Sequence, residues 1–213
     1  MTNTQAKPSL FDAVNPVSLH QSSYWQESTA TSTRTISGHC LRHMRAIPCP
    51  SEVTIVAKIL ICYYSRSGNT KKMAYLIQKG VMDENVEVDT KNVKDVKVDD
   101  LRMYDGIIIG SPTYYGGPAA PIKDLLDKSI KHHGKLQDKV GGAFSSSANV
   151  GGGNETTIIA ILQSLLIHGM IVCGDSLGDH YGPVAIEKPD KRAEAVCIRY
   201  GRRVAKLTKK LHA

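Results

Sequence analysis

The sequence predicts an α/β fold in which a doubly wound parallel sheet carries helices on both faces. Short apolar runs alternate from Val53 onward with amphipathic stretches of helical length, which is typical of βα units. The run DGIIIGS at 105–111 is continuously apolar, as expected for a strand that is buried on both faces. No internal repeat or low-complexity block interrupts this alternation, so a single sheet is expected.

Five strands and four helices can be located from these patterns. The strands are predicted at 57–63, 85–90, 105–111, 139–145 and 170–175, and the helices at 70–81, 119–132, 155–168 and 188–211. The segment 96–104 has no clear period. Apolar residues recur at helical spacing in the first two helices and predict their buried sides, which comprise Met73, Leu76, Ile77, Ile122, Leu125, Leu126 and Ile130.

One domain is expected in a chain of 213 residues, and it is assigned to residues 53–213. Residues 1–52 are rich in Ser and Thr, are interrupted by Pro and lack a periodic apolar pattern, so they are predicted to be a disordered extension. Two explanations of this extension stay open. Its few acidic residues and late arginines resemble a transit segment, and the true start could equally lie near Met44 or at a valine such as Val53.

Composition excludes several classes of protein. No apolar run approaches the roughly 20 residues that span a bilayer, and the five cysteines lack the paired spacing of a zinc site or a disulfide framework. We therefore expect reduced cysteines in a cytoplasmic protein, with Cys62 and Cys173 inside buried strands, and no metal. The net charge of +7 is concentrated in the last helix without interleaved aromatic residues, which indicates a solvated face and no nucleic-acid partner.

The loop after the first predicted strand reads SRSGNT (65–70) and directly precedes a helix. Ser65, Ser67 and Thr70 supply hydroxyl groups, Asn69 supplies an amide, and Gly68 permits a tight turn. Unpaired N–H groups and the positive end of the helix dipole point into the same concavity, which suits a phosphate group. The alternative is that these residues only cap the helix.

Two further loops follow strands at the same edge of the predicted sheet. SPTYYGGP (111–118) combines backbone amides with two tyrosines, which suits a flat heteroaromatic ring. SSSANVGGGNE (145–155) has three consecutive glycines, which are expected where a backbone approaches another group closely. A turn packed on its own fold and a plain flexible loop are the alternatives. Taken together, the three loops predict a site for flavin mononucleotide (FMN).

These three motifs, in this order, resemble those of the flavodoxin family and are similar to its WrbA-like branch of NAD(P)H:quinone oxidoreductases. The resemblance covers residues 57–211 and implies the strand order 2-1-3-4-5, bound FMN and a homodimer or homotetramer. It implies three groups of cofactor-binding residues: Ser65, Arg66, Ser67, Gly68, Asn69 and Thr70 at the phosphate; Pro112, Thr113, Tyr114, Tyr115 and Gly116 at the ring; and Ser146, Ser147, Ala148, Asn149, Gly151 and Gly152 at the other edge of the ring. The segment GDHYG (178–182) resembles one that approaches a neighbouring subunit's flavin, so His180 and Tyr181 are the catalytic candidates.

The expected function is FMN-dependent oxidation of NAD(P)H with reduction of a quinone or a similar small acceptor. The cofactor carries this chemistry and the protein orients it. A flavodoxin-type electron carrier and a module without redox turnover stay open as alternatives. The basic net charge and the lack of an aromatic residue in 145–154 favour the reductase, because carriers of this family are typically acidic and stack an aromatic residue from that loop on the flavin.

Overall fold

The computed structural model describes residues 56–212, and the predicted extension 1–52 lies outside them. The strands are β1 (Lys58–Tyr63), β2 (Glu87–Asn92), β3 (Gly106–Tyr114), β4 (Gly117–Pro118), β5 (Val140–Ser147), β6 (Ile171–Val172) and β7 (Val184–Ile186). The helices are α1 (Asn69–Met82), α2 (Ala120–Lys128), α3 (Asn154–Ile167) and α4 (Lys191–His212). Short 3-10 turns cover Val93–Asp95, Val98–Met103 and Ser129–His132.

The sheet has the order β2-β1-β3-β5-β6 with parallel pairing throughout, which confirms the predicted order. Two short strands extend it. β4 pairs antiparallel with the end of β3, and β7 pairs in parallel with the end of β5. Since β6 borders only Val140–Gly141 and β7 borders Ser145–Ser147, both strands lie on the same side of β5 at different heights.

Alternate residues of the central strands point to opposite faces of the sheet, as strand geometry requires. In β1, Ile59 and Ile61 pack with α1 and α4, whereas Leu60 and Cys62 pack with α2 and α3. All four side chains are fully buried. The sheet therefore lies between two apolar layers with two helices in each, which confirms the predicted helices on both faces.

Two of the predicted elements are much shorter in the structure. The last long strand of the prediction contains only Ile171–Val172, so Cys173 follows the strand and is partly exposed. α2 ends at Lys128, where the Ser129 hydroxyl donates to the Leu126 carbonyl at 2.6 Å and the chain continues as a 3-10 turn. Ile130 is consequently 67% exposed instead of facing the core.

Among residues 56–212, no helix combines the length and the apolar character that crossing a bilayer would require.

The contact between α1 and α4 depends on two glycines that face each other. A Cβ atom at Gly80 would lie 2.0 Å from the Ile198 carbonyl oxygen, and one at Gly201 would lie 2.2 Å from the Ile77 carbonyl oxygen. The helix backbones can approach this closely only because neither position carries a side chain.

We expect Gly80→Ala to lower the free energy of unfolding by about 1–3 kcal/mol, because the added methyl group forces the two helices apart. Intrinsic helix propensity alone would favour alanine over glycine by roughly 1 kcal/mol, so the predicted sign is the opposite of the propensity effect. Urea unfolding measures the difference, with Lys79→Ala, on the exposed side of the same helix, as the control. A Gly80→Ala protein as stable as the wild type would contradict the account of this contact.

Candidate functional site

A cavity of about 470 Å³ lies at the carboxyl edge of the sheet, where the three predicted loops meet. This volume is within the roughly 300–1,000 Å³ of typical ligand sites. The structure brings nine predicted residues together in its wall and adds one that the sequence did not indicate, Glu187. The lining residues are Arg66, Ser67, Asn69, Pro112, Thr113, Tyr114, Ser146, Ser147, Ala148 and Glu187.

The first loop leads into α1 without a side-chain cap. Gly68 is the N-cap residue with φ of 94°, and no side chain hydrogen-bonds to the first turn of the helix. The Ser65 hydroxyl instead accepts a hydrogen bond from the Gly68 N–H at 3.1 Å, which stabilises the turn. The explanation of the motif as a simple helix cap is therefore wrong. N–H groups of the first turn, which have no intrahelical partners, remain available to an anion.

Thr70 connects the first loop to the third. Its hydroxyl lies 2.9 Å from the Ser146 hydroxyl, and both side chains are buried. Thr70 therefore does not line the cavity but links the first turn of α1 to the end of β5 from behind the cavity wall.

The second loop is a tight hairpin between β3 and β4. Its two central residues, Tyr115 and Gly116, have φ values of 50° and 77°, as in the turns that match the twist of a hairpin. Tyr115 is fully exposed and does not line the cavity, whereas Tyr114 does. Of the two tyrosines, Tyr114 is thus the one available to a ring bound in this cavity.

The third loop approaches the second loop at a glycine. Gly153 has φ of 93°, and a Cβ atom there would lie 2.8 Å from the Gly116 Cα atom. The Thr156 hydroxyl donates to the Gly116 carbonyl oxygen at 2.7 Å and holds the two loops together. The close approach that the glycine run predicted is therefore, at Gly153, an approach to the neighbouring loop. The predicted residues Asn149, Gly151 and Gly152 do not line the cavity.

Polar residues that the sequence reasoning missed orient the side chain of Thr113, which lines the cavity. Its hydroxyl lies 2.9 Å from the Ser145 hydroxyl, 3.2 Å from Asn154 Oδ1 and 3.0 Å from the Thr157 hydroxyl. Ser145, Asn154 and Thr157 are all buried. The signal in the sequence was their position: each stands at the end of a strand or in the first turn of the following helix, where a buried polar side chain needs a partner.

His180 and Tyr181 lie outside this cavity. They line a separate cavity of about 210 Å³ together with Glu155 and Asp179. The His180 Nδ1–H donates to the Asp175 carbonyl oxygen at 2.7 Å, and both predicted catalytic side chains are exposed. Their role beside a neighbouring subunit's flavin stays a prediction.

Asp175 holds the segment that carries His180 against α4. Its buried carboxylate accepts the Leu177 N–H at 2.9 Å and the Arg199 Nε–H at 3.0 Å. The Leu177 N–H and then the Arg199 guanidinium stabilise the ionised form and hold the pKa of Asp175 below its ordinary value of 3.8.

Within residues 56–212, no group of three or more His, Cys, Asp or Glu side chains is arranged to hold a metal ion.

The sheet order and the position of the cavity define a flavodoxin-like α/β protein. The sequence matches the family described as "Flavodoxin domain" over residues 60–156. It is 38% identical over 159 residues to a flavodoxin of Aquifex aeolicus, which covers 70% of this chain and 86% of the relative. The chain belongs to the flavodoxin family.

Other relatives are named as enzymes. An NAD(P)H dehydrogenase (quinone) of Nitrobacter winogradskyi is 32% identical over 198 residues, which covers 74% of this chain and all of the relative. Among solved structures, a WrbA-like flavodoxin from Agrobacterium tumefaciens superposes with a TM-score of 0.63 at 28% identity, covering 73% of this chain and 99% of that one. The WrbA-like resemblance found in the motifs is thereby confirmed.

Replacing Asp175 by asparagine is expected to destabilise the protein at neutral pH by about 1.5–3 kcal/mol, because hydrogen bonds to a charged group are lost or weakened. A lowered folded-state pKa means that this stabilisation is present above the ordinary pKa of 3.8 and is lost as the pH falls through the folded value. The difference in unfolding free energy between the wild type and Asp175→Asn should therefore narrow below about pH 4. Asp124→Asn, which removes an exposed ion pair with Lys128, is the control. A pH-independent difference would contradict the assigned cause.

Proposed function

We propose that the chain is an FMN-dependent oxidoreductase that oxidises NAD(P)H and reduces a quinone or a similar small acceptor. The observation that carries the proposal is the uncapped first turn of α1 at one end of a cavity that is walled by three loops. Membership of the flavodoxin family implies a flavin, and relatives named NAD(P)H dehydrogenase (quinone) support the donor and the acceptor.

The residues present fit the phosphate group of FMN. The free N–H groups at the start of α1, the Ser67 hydroxyl and the Asn69 amide would bind it, and the Arg66 guanidinium would offset part of its charge. Helix N-termini bind anions through unpaired N–H groups and the helix dipole. The charge of the phosphate would therefore be stabilised without a lysine side chain in contact with it.

The opposite end of the cavity fits a flat ring. Pro112, Thr113 and Tyr114 would lie along one side of it, and Ser146, Ser147 and Ala148 along the other. The hydrogen bond between the Thr70 and Ser146 hydroxyls holds this side of the cavity against the start of α1. When bound, FMN supplies the hydride and electron chemistry, and these side chains orient the ring and limit the access of water.

The reductase is favoured over a carrier by the small residues of the third loop. Ala148 lines the cavity where an aromatic side chain would otherwise stack on the ring, which leaves space for a second flat substrate. A flavodoxin-type carrier is the alternative function, and the flavodoxin of Aquifex aeolicus at 38% identity supports it. Assembly into a homodimer or homotetramer, with His180 and Tyr181 near a partner's flavin, belongs to the same proposal.

The proposal is tested by anaerobic addition of NADPH, and separately of NADH, to the FMN-loaded full chain, followed by a benzoquinone. We expect the visible absorbance of the flavin to bleach with at least one nucleotide and to return when the quinone is added. Bleaching by dithionite but by neither nucleotide would instead identify a carrier. A chain that binds no FMN would contradict both functions.

Gly68→Asp should lower FMN affinity by at least 100-fold, because it brings a carboxylate next to the bound phosphate. The matched control is Gly68→Asn, which has nearly the same shape without the charge. Asparagine tolerates the positive φ of this position better than most residues, and a Cβ atom there meets no other atom within 4 Å. We therefore expect Gly68→Asn to retain FMN with a loss below about tenfold. Equal losses in the two variants, measured by fluorescence titration, would show that the backbone and not the charge is responsible.

A further inference from the structure

We infer that the Glu187 carboxylate, in the wall of the flavin site, disfavours the reduced form of the cofactor and so lowers the reduction potential of the cofactor. This inference rests on the proposed FMN site and adds a residue to it. Glu187 lines the same cavity as Ser147 and Ala148, and it brings the only carboxylate among the lining residues.

The strand that leads to Glu187 is held at both of its ends. β7 begins at Val184, whose N–H donates to the Asp179 carboxylate at 3.0 Å, and that carboxylate is paired with Arg192 at 2.8 Å. At the other end of β7, the Glu187 N–H donates to the Ser147 carbonyl oxygen at 2.7 Å. The backbone from which this carboxylate extends is therefore held beside the end of β5.

The strand order brings Glu187 closer to the ring than to the phosphate. β7 follows β5 in the sheet on the side away from β3 and β1, and neighbouring strands are about 4.8 Å apart. The backbone of Glu187 is thus one strand from the third loop but roughly 14 Å, or three strands, from the end of β1, where the phosphate would bind.

The backbone of Glu187 adopts a conformation that suits glycine better than glutamate. Its φ is 53°, in the left-handed region, which side chains other than Asn and Asp rarely occupy. Residues held in such conformations cluster at functional sites. Because Glu187 is exposed at the edge of the cavity, burial of its side chain does not account for this conformation.

No ion pair within residues 56–212 neutralises this charge. None of the ion pairs formed between residues 56–212 includes Glu187, and the cation among the cavity-lining residues is Arg66, on the first loop. Transfer of a hydride from NAD(P)H to oxidised FMN leaves NAD(P)⁺ and adds one negative charge to the flavin. A carboxylate within about 10 Å, the screening length at 0.1 M salt, repels that added charge more than it affects the neutral oxidised ring.

The test is the ratio of the dissociation constants for oxidised and reduced FMN, measured with the full chain for the wild type, Glu187→Gln and Glu187→Gly. We expect both variants to favour reduced FMN by at least threefold relative to the wild type. For a two-electron couple this equals a rise in potential of about 14 mV, from 29.6 mV per tenfold change. The shift should shrink in 1 M salt, where the screening length is about 3 Å.

Glu87→Gln is the charge-matched control. Glu87 starts β2 at the amino end of the sheet, about 17 Å from the carboxyl end by strand rise, and pairs with Lys58 at 2.6 Å. It should leave the ratio unchanged. The inference is overturned if Glu187→Gln matches the wild type, if only Glu187→Gly shifts the ratio, or if Glu87→Gln shifts it equally. A wild-type chain that binds no FMN would overturn the proposed function as well, whereas normal binding without a shift would overturn the role of Glu187 alone.

Discussion

The proposed cofactor site depends on how α1 begins. β1 is fully buried at its centre, the chain turns at Gly68 with a positive φ, and the helix starts at the next residue without a side-chain cap. A helix start that its own side chains do not satisfy is unfavourable unless water or a ligand supplies acceptors for its N–H groups. An anion at this position meets that requirement. The next two strands along the same edge of the sheet are β3 and β5, so the loops at their ends contact whatever group the anion carries.

Hydroxyl groups behind the cavity connect this helix start to the rest of the site. Thr70 reaches Ser146, and Thr113 reaches Ser145 and Asn154, so the three loops are joined by side-chain hydrogen bonds. Such a network, once its members are paired, fixes the distances between loops and lets the cavity keep its shape before the cofactor arrives. Function in this arrangement comes from positioning: the protein supplies a phosphate site, a slot for a flat ring and an electrostatic environment, and the cofactor supplies the redox chemistry.

Much of the fold followed from the sequence because burial on both faces gives long apolar runs, and those runs located β1, β3 and β5 well. The short elements could not be found in this way. β7 pairs over only Val184–Ile186 and is recognisable by its partner rather than by its own pattern. Glu187 was missed for the same reason. Its place in the cavity depends on a long-range strand pairing and on a φ of 53°, and no local sequence motif predicts either of them. The loop motifs identified the cavity, but their chemistry did not distinguish residues that face it, such as Ser67, from residues such as Thr70 that support it from behind.

The most direct test of this account compares the affinity of the full chain for FMN and for riboflavin, which has the same ring without the phosphate, by equilibrium dialysis in the dark. If the start of α1 is the anchor of the site, FMN should bind at least 100-fold more tightly than riboflavin, a difference of about 2.7 kcal/mol. Equal affinities would contradict the account, because they would mean that the ring alone is recognised and that the uncapped helix start plays no part in binding.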